Sequence, residues 1–165
     1  MNKITNVVIA GLGGQGVLKA SDIVADVAFG AGLDVKKSEV HGMSQRGGSV
    51  SSDVRFGDHV FSPMVPEGKA DFLVVLAPDQ IEVNMAMLGS EGVLIEPSQV
   101  DASKLRNKKS INVALLGVLG RHLKFSDEDW IAAIKRNLPG TLHEANVQAF
   151  HAGKSSALAH SPISR

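Results

Sequence analysis

The chain has 165 residues, enough for one domain of ordinary size with a substantial core. Its 17 basic residues balance its 17 acidic residues, so no net charge attracts it to nucleic acid or to an anionic membrane surface. Cysteine is absent, which excludes disulfides, thiolate metal sites, cysteine-ligated iron–sulfur clusters and cysteine nucleophiles in this chain. The N-terminus lacks a signal-peptide pattern and no apolar run is long enough to span a membrane, so we expect a cytoplasmic protein with no membrane or nucleic-acid partner.

Strands and helices alternate along the N-terminal half of the sequence. The apolar run at 6–10 predicts a first strand, and apolar residues at helical spacing predict a helix over 14–29. A second strand is expected over 33–40, and the short spacing from the first strand favours a right-handed strand–helix–strand unit. Alternation of polar and apolar residues over 49–56 predicts a strand with one face in solvent.

The middle of the chain carries two more predicted strands. Two prolines predict a loop over 60–68, and the wholly apolar run at 72–77 predicts a strand covered on both faces. A helix is expected from Pro78 to Leu88, where two glycines would end it before a short buried strand at 93–95. This alternation predicts an α/β layer fold with a mostly parallel sheet.

The sequence of the C-terminal third predicts helices. Apolar residues on one stripe predict a helix over 112–123, and the sequence 126–129 has the form of a capping box for a second helix. The same pattern at Thr141 predicts a last short helix that stops near Gly153.

No linker or internal repeat divides the sequence. We therefore assign residues 1–153 to a single domain. Residues 154–165 are rich in Ser and Ala and show no clear periodicity, so we assign them to a flexible or partner-dependent tail.

The glycine-rich turn after the first strand is the first candidate binding site. Gly11, Gly13 and Gly16 match the G-x-G-x-x-G spacing between a strand and a helix, and Gly14 and Gln15 lie within it. Glycines leave main-chain N–H groups unobstructed at a helix N-terminus, where the helix dipole favours phosphate or another anion. The alternative is that the glycines allow only a tight turn and close packing of helix against strand.

A second glycine-rich loop follows the second strand. In it, Gln45 and Arg46 would hold a phosphate or a carboxylate, with Ser44 supporting the arginine. Gly47 and Gly48 would let a ligand or a neighbouring backbone come close. At the carboxyl end of a strand beside the first loop, this segment would flank the crevice where open α/β sheets bind ligands.

The same residues are also compatible with two other functions. A freestanding NAD(P)- or flavin-binding module would use Gly11, Gly13 and Gly16 and would place Glu39 on the ribose, although Glu39 lies later than usual for that role. A purely structural adaptor would bind no small molecule. No catalytic residue and no metal ligand is predicted, because the nucleophile-elbow, P-loop and zinc-helix motifs are absent from the sequence.

Several stretches together resemble one enzyme family. They are Gly-Leu-Gly-Gly-Gln-Gly-Val at 11–17, Glu-Val-His-Gly-Met-Ser-Gln-Arg-Gly-Gly-Ser-Val at 39–50, Val-Arg-Phe-Gly at 54–57 and Ser-Pro-Met-Val-Pro-Glu-Gly-Lys-Ala-Asp at 62–71. The chain resembles the gamma subunit, or domain III, of 2-oxoacid:ferredoxin oxidoreductases. The stretch at 41–46 is most similar to the beta subunit of indolepyruvate ferredoxin oxidoreductase. The similarity extends to 112–117 and 144–153, so it covers nearly the whole chain.

The resemblance implies a subunit without catalytic residues of its own. The family fold is a three-layer α/β/α sandwich that is Rossmann-like. The complex oxidatively decarboxylates a 2-oxoacid to its acyl-CoA, CO₂ and reduced ferredoxin, and indolepyruvate or a related 2-oxoacid, including pyruvate-type members, is the expected substrate.

The same resemblance assigns cofactors and partners. Thiamine diphosphate and iron–sulfur clusters belong to partner subunits, coenzyme A is a further component of the reaction, and this chain alone is expected to bind no cofactor. Its partners would be the thiamine-binding and iron–sulfur subunits, with ferredoxin reached through the complex; a homodimer in isolation is also compatible. Both glycine loops, Gly11 to Gly16 and Ser44 to Gly48, are expected near the coenzyme A or thiamine diphosphate end of the partner's active site.

Overall fold

A computed structural model describes residues 3–41 and 47–156 of the chain. The strands are β1 (Ile4–Leu12), β2 (Asp34–His41), β3 (Ser49–Gly57), β4 (Ala70–Val75) and β5 (Leu88–Ile95). The helices are α1 (Val17–Gly30), α2 (Ile81–Asn84), α3 (Ile111–Gly120), α4 (Asp127–Asn137) and α5 (His143–Lys154). Of the assigned tail, Lys154 ends α5, and residues 157–165 lie outside the described part.

The five strands form one sheet in the order β2-β3-β1-β4-β5. The pairs β1–β4 and β4–β5 are parallel, whereas β3 runs antiparallel to both β1 and β2. Four strands therefore share one direction, as the prediction of a mostly parallel sheet requires, but two of the four pairings are antiparallel. The first and second strands are not neighbours, because β3 lies between them.

One face of the sheet is covered by the long helices α1, α3, α4 and α5. The main core forms here, between apolar residues of the sheet and of these helices. All residues of α3 except Ile111 are buried, because the helix lies within this core and packs closely on α5. The rings of Trp130 and Phe150 are 5.7 Å apart between centroids and join α4 to α5.

The opposite face has a thinner cover. A smaller apolar cluster forms there between Val8, Leu73 and Val75 of the sheet, Val65 of the β3–β4 loop and the segment that contains α2. The expected α/β/α sandwich is confirmed, with one layer of long helices and one layer made of a loop and short helical turns.

The predicted helix from Pro78 to Leu88 forms only as short pieces. Two 3₁₀ turns flank the four residues of α2, and β5 already begins at Leu88. Gly89 and Gly92 do not end a helix. They lie within β5 where a Cβ would approach the carbonyl oxygen of Ala70, to 3.1 and 2.7 Å. In the sequence, a glycine that permits a close approach within a strand looks the same as a glycine that ends a helix. The sequence pattern therefore placed the boundary between this helix and β5 wrongly.

The two predicted helix caps in the C-terminal third have different outcomes. Ser126 caps α4, and its hydroxyl accepts a hydrogen bond of 3.1 Å from the N–H of Asp129. Thr141 was predicted to cap the last helix and does not. It lies in a 3₁₀ turn, and α5 begins at His143 with no side-chain cap.

The loop between β3 and β4, residues 58–69, is fastened to the thinly covered face; we call it the pinned loop. The carboxylates of Asp34 and Asp53 each accept a hydrogen bond of 2.8 Å, from the N–H of Val60 and of Val65 respectively. The guanidinium of Arg55 donates to the carbonyl oxygens of residues 62 and 64, at 2.8 and 3.3 Å. The stretches 54–57 and 62–71, noted separately in the sequence, thus form one hydrogen-bonded unit.

Helices α3 and α5 cross at a pair of glycines. A Cβ on Gly117 would overlap the carbonyl oxygen of Phe150, and one on Gly153 would overlap that of Ala114. The helix backbones are therefore in direct contact, with no room for a side chain between them.

We expect Gly153→Ala to lower the free energy of unfolding by about 1–3 kcal/mol, because α5 must move away from α3 to make room for the methyl group. The matched control is Gly30→Ala at the end of α1, where a Cβ would meet nothing within 4 Å and φ is not positive. That change is expected to be neutral or to stabilise by about 0.5 kcal/mol. Urea unfolding of both variants checks the difference; equal stabilities would contradict the glycine contact.

Asp53 gives a second test, of the pinned loop. Burial raises the pKa of Asp53 above its ordinary value, although the hydrogen bond from Val65 and the charge of Arg55 lower it. Asp53→Asn keeps an oxygen acceptor without the desolvated charge and should raise stability at neutral pH. Asp53→Ala leaves the buried N–H of Val65 unpaired and should cost about 1–3 kcal/mol.

The pH dependence of Asp53→Asn has a definite sign. A raised pKa means that the folded wild type binds more protons than the unfolded chain, so its stability falls as pH rises through the folded pKa. The advantage of the Asn variant should therefore grow from acid to neutral pH in urea unfolding. An advantage that is constant across this range would contradict the assignment.

Candidate functional site

A cavity of about 500 Å³ lies between the N-terminus of α1 and the edge where β2 ends and β3 begins. Main-chain atoms of the first glycine loop form one wall, and Gly48 and Val50 form the opposite wall. Lys19 of α1 and His41 at the end of β2 also line it, and both are exposed to solvent. The cavity thus combines an apolar surface with main-chain atoms of a helix N-terminus and two cationic or titratable side chains.

The first glycine loop is closed by its own glutamine. The side-chain oxygen Oε1 of Gln15 accepts a hydrogen bond of 2.7 Å from the N–H of Leu12, and the N–H of Gln15 donates to the carbonyl oxygen of Leu12 at 3.1 Å. Gly14 and Gly16 have φ values of 89° and 82°, which a side chain would strain. Gln15 therefore shapes the loop from within, and its N–H is not free for a ligand.

The two glycine loops touch. The N–H of Gly13 donates a hydrogen bond of 2.8 Å to the carbonyl oxygen of Gly48, and a Cβ on Gly13 would lie 3.1 Å from the nitrogen of Gly47. Gly47 has a φ of 88°. The glycines of the second loop thus permit a close approach of one backbone to the other. In this contact the N–H of Gly13 is already hydrogen-bonded and is not available to a ligand.

At the N-terminus of α1, main-chain donors are unpaired within the described part of the chain. In residues 3–41 and 47–156, no acceptor is found for the N–H groups of Gly14, Val17 or Leu18. No side chain among the described residues caps this helix, and its first turn contains no acidic residue. Unpaired donors at the positive end of a helix dipole favour an anion.

The ten residues predicted as the site separate into three groups. Gly13, Gly14, Gly16 and Gly48 line the cavity. Gly11, Gln15 and Gly47 shape the loops without lining it; at Gly11, a Cβ would meet Oε1 of Gln15 at 2.8 Å. Ser44, Gln45 and Arg46 lie outside the described residues.

Sequence reasoning missed Lys19 at this cavity. Lysine in the first turn of a helix is unfavourable, because its charge meets the positive end of the dipole. That misplaced charge was the signal in the sequence that could have identified Lys19 as a binding residue. His41 lies beside Glu39, whose carboxylate is 3.8 Å from Nε2 of His41 and 3.4 Å from Nζ of Lys37.

The comparisons with known proteins agree on the family. The model of the family described as "Pyruvate ferredoxin/flavodoxin oxidoreductase" matches residues 6–156. This chain belongs to that family. A relative from Thermococcus kodakarensis, indolepyruvate oxidoreductase subunit IorB, is 34% identical, with 92% of this chain and 95% of the relative covered.

Two solved structures share the fold. The keto/oxoacid ferredoxin oxidoreductase gamma subunit from Geobacter sulfurreducens is 25% identical, with a TM-score of 0.77 over 93% of this chain and 98% of that one. A 2-oxoglutarate:ferredoxin oxidoreductase from Magnetococcus marinus is 18% identical, with a TM-score of 0.83 over 100% of this chain and 33% of that one. The expected identity, an accessory gamma-type subunit of the 2-oxoacid oxidoreductases, is confirmed.

The alternative of a nicotinamide- or flavin-binding module is not supported. In a dinucleotide-binding fold, the acidic residue for the ribose ends the strand next to the first strand. Here Glu39 lies on β2, which β3 separates from β1, so its strand is about 10 Å away from the glycine loop's strand. The carboxylate of Glu39 is also engaged by Lys37.

The composition of the chain limits which cofactors it can bind. Without cysteine it has no thiolate ligands for an iron–sulfur cluster. In the described part of the chain, no group of three or more His, Asp or Glu residues could hold a metal ion. The cavity at α1 instead presents main-chain atoms of a helix N-terminus and the side chain of Lys19. Among the described residues, no helix is long and apolar enough to cross a membrane.

Gln15 provides a test of the loop geometry. We expect Gln15→Ala to leave the N–H of Leu12 without its acceptor and to speed amide hydrogen exchange at Leu12 about fivefold, since one hydrogen bond is worth about 1 kcal/mol. Gln15→Glu keeps an oxygen at the same place and is the matched control. NMR-detected exchange in both variants decides; unchanged protection of Leu12 in Gln15→Ala would contradict the loop closure.

Proposed function

We propose that this chain serves a complex that oxidatively decarboxylates indolepyruvate or a related 2-oxoacid to its acyl-CoA, CO₂ and reduced ferredoxin. The choice of substrate is supported by relatives such as the Thermococcus kodakarensis subunit, whose name specifies indolepyruvate. Thiamine diphosphate and the iron–sulfur clusters would lie in partner subunits, because this chain has no cysteine to ligate a cluster. Ferredoxin would be reached through the complex, in the cytoplasm.

The cavity at α1 gives this subunit a role in ligand binding. We propose that it receives an anionic group of coenzyme A, whose thiol accepts the acyl group in the reaction. The observation that supports this proposal is the N-terminus of α1, which has no side-chain cap among the described residues. It lines the cavity and has a lysine in its first turn. In the Magnetococcus marinus protein with this fold, the reported structure contains bound coenzyme A and 2-oxoglutarate.

Each wall of the cavity would have its own part in binding. The N–H groups of Gly14 and Val17 would donate to the anion, and the ammonium of Lys19 would add a charge that draws it in. Arg46, with Ser44 and Gln45, would complete the site from the second loop. The apolar surface of Val50 and its neighbours would exclude water and so strengthen these interactions.

Contact with the partner protein alone is the competing role for these loops. The hydrogen bond between Gly13 and Gly48 is compatible with it, because that bond leaves the N–H of Gly13 unavailable to a ligand. In that case substitutions in the loops would alter assembly and leave the response to coenzyme A unchanged.

Lys19→Ala and Arg46→Ala in the assembled complex test the cavity. Each is expected to raise the KM for coenzyme A about tenfold, or about 1.4 kcal/mol, with the KM for the 2-oxoacid unchanged. Lys124→Ala is the matched control, because Lys124 is exposed in the turn between α3 and α4 and does not line the cavity. Unchanged kinetics with coenzyme A in both variants would remove the binding role of the loops.

The subunit assignment has a separate test. The tagged chain, expressed in its native host, should co-purify with a thiamine-binding subunit, and the complex should reduce ferredoxin with indolepyruvate. Turnover of a metabolite by the purified chain alone, or micromolar binding of a nicotinamide or flavin nucleotide to it, would contradict the assignment.

A further inference from the structure

The buried helix α3 carries a polar side chain in its first turn, next to the first glycine loop. Asn112 is 8% exposed, and every other residue of α3 is apolar or glycine. Burying a carboxamide costs free energy unless its polar atoms find hydrogen-bond partners. The partners of Asn112 therefore indicate what this side chain does in an otherwise apolar helix.

Both ends of the Asn112 carboxamide are hydrogen-bonded. Its Nδ2 donates to the carbonyl oxygen of Gly16 at 3.2 Å, and its Oδ1 accepts from the N–H of Val113 at 2.9 Å. One end meets an acceptor and the other a donor, so the partners define which way the amide is oriented. The bond to Gly16 joins residues that are 96 positions apart and ties the glycine loop to the core helix.

The space around Gly16 is matched to this contact. A Cβ on Gly16 would overlap Nδ2 of Asn112. Gly16 also has a φ of 82°, which strains any residue with a side chain. Glycine at this position thus meets two requirements, the left-handed backbone of the loop and the close approach of Asn112.

The carbonyl that Asn112 holds belongs to the peptide unit that also contains the N–H of Val17. It accepts the first hydrogen bond of α1 as well, from the N–H of Ala20 at 3.0 Å. In a planar trans peptide the C=O and the N–H point in opposite directions. A donor that holds the carbonyl of Gly16 therefore also fixes the direction of the Val17 N–H. Val17 lines the cavity, and its N–H has no acceptor in residues 3–41 and 47–156.

A fixed direction matters at this end of α1. Helix ends fray, and no side chain among the described residues caps this one. Main-chain donors bind an anion better when they are already held in place, because less conformational freedom is then lost on binding. Gln15 closes the loop at Leu12 from within, whereas Asn112 holds its other end from a buried helix.

We propose that Asn112 is a positioning residue for the anion site at the N-terminus of α1. It holds the peptide unit between Gly16 and Val17 so that the Val17 N–H is aimed at the bound anionic group. Asn112 is not among the described residues that line the cavity, so it acts through this peptide and does not touch the ligand. This inference rests on the proposed function, which places an anionic group of coenzyme A in the cavity.

The test is Asn112→Ala in the assembled complex, with Asn112→Leu as a second variant that fills similar space without a donor. Each is expected to raise the KM for coenzyme A about fivefold, the effect of one lost hydrogen bond, with kcat and the KM for the 2-oxoacid unchanged. A rise in Asn112→Ala that is absent in Asn112→Leu would assign the effect to lost volume and contradict the proposal.

Asn146→Ala is the matched control. Asn146 is 7% exposed in α5, does not line the cavity, and its Nδ2 also donates to a main-chain carbonyl oxygen, that of Leu142 at 2.8 Å. This variant should lose stability as Asn112→Ala does and keep the wild-type KM for coenzyme A. An equal rise in KM in the control would show a general effect of lost stability and overturn the positioning role.

Amide hydrogen exchange gives a readout that is independent of activity. In the isolated full chain, Asn112→Ala should speed exchange of the Ala20 N–H about fivefold, because the carbonyl that it pairs with is less firmly held. Asn146→Ala should leave this rate unchanged. Equal protection of Ala20 in the wild type and in Asn112→Ala would contradict the proposal.

The kinetic outcomes separate this inference from the proposed function. An unchanged KM for coenzyme A in both Asn112 variants, with a raised KM in Lys19→Ala, overturns the positioning role and leaves the proposed function standing. An unchanged KM in the Asn112 variants, in Lys19→Ala and in Arg46→Ala alike overturns both.

Discussion

The antiparallel insertion of β3 beside β1 is the constraint on which the cavity depends. The register pairs Leu12 at the end of β1 with Ser49 at the start of β3, so Gly47 and Gly48, just before β3, lie beside the first glycine loop. There Gly48 accepts the hydrogen bond of Gly13, and the lack of side chains at Gly13 and Gly47 permits the close approach. The same insertion moves β2 away from β1. The glycine pattern, which is typical of dinucleotide-binding sites, therefore lacks the neighbouring carboxylate that would bind a ribose.

Local signals in the sequence identified the elements, and non-local contacts decided what they build. The alternation at 49–56 correctly predicted β3, but no residue in that run specifies β1 and β2 as its two neighbours, because pairing depends on distant segments. The same limit explains Gly89 and Gly92, whose closeness to Ala70 is a property of the β4–β5 pairing. Ser126 was predicted correctly because its cap involves only the next three residues.

At the candidate site, the binding role of the first glycine loop stays a prediction, and the structure shows what its residues do within the chain. The sequence pattern offers the N–H of Gln15 as a donor to a ligand, but that N–H donates to the carbonyl oxygen of Leu12, and the side-chain oxygen of Gln15 accepts from the N–H of Leu12. Lys19 was overlooked because an exposed lysine on a helix is ordinary. Its position in the first turn of α1 carries the information, since the dipole there repels a cation unless an anion is also bound.

The groups with shifted pKa values lie away from the cavity. In residues 3–41 and 47–156, pKa shifts are resolved for Asp34, Asp53, Asp101 and Arg136, and none of these lines the cavity. Asp34 and Asp53 hold the pinned loop through the N–H groups of Val60 and Val65, so the burial that perturbs Asp53 accompanies the attachment of this loop to the sheet. Perturbed ionisable groups commonly mark catalytic sites. Here they lie with the pinned loop, while the cavity offers main-chain donors and a solvent-exposed lysine. Main-chain donors and an ammonium suit the binding of an anion, which is the role proposed for this cavity.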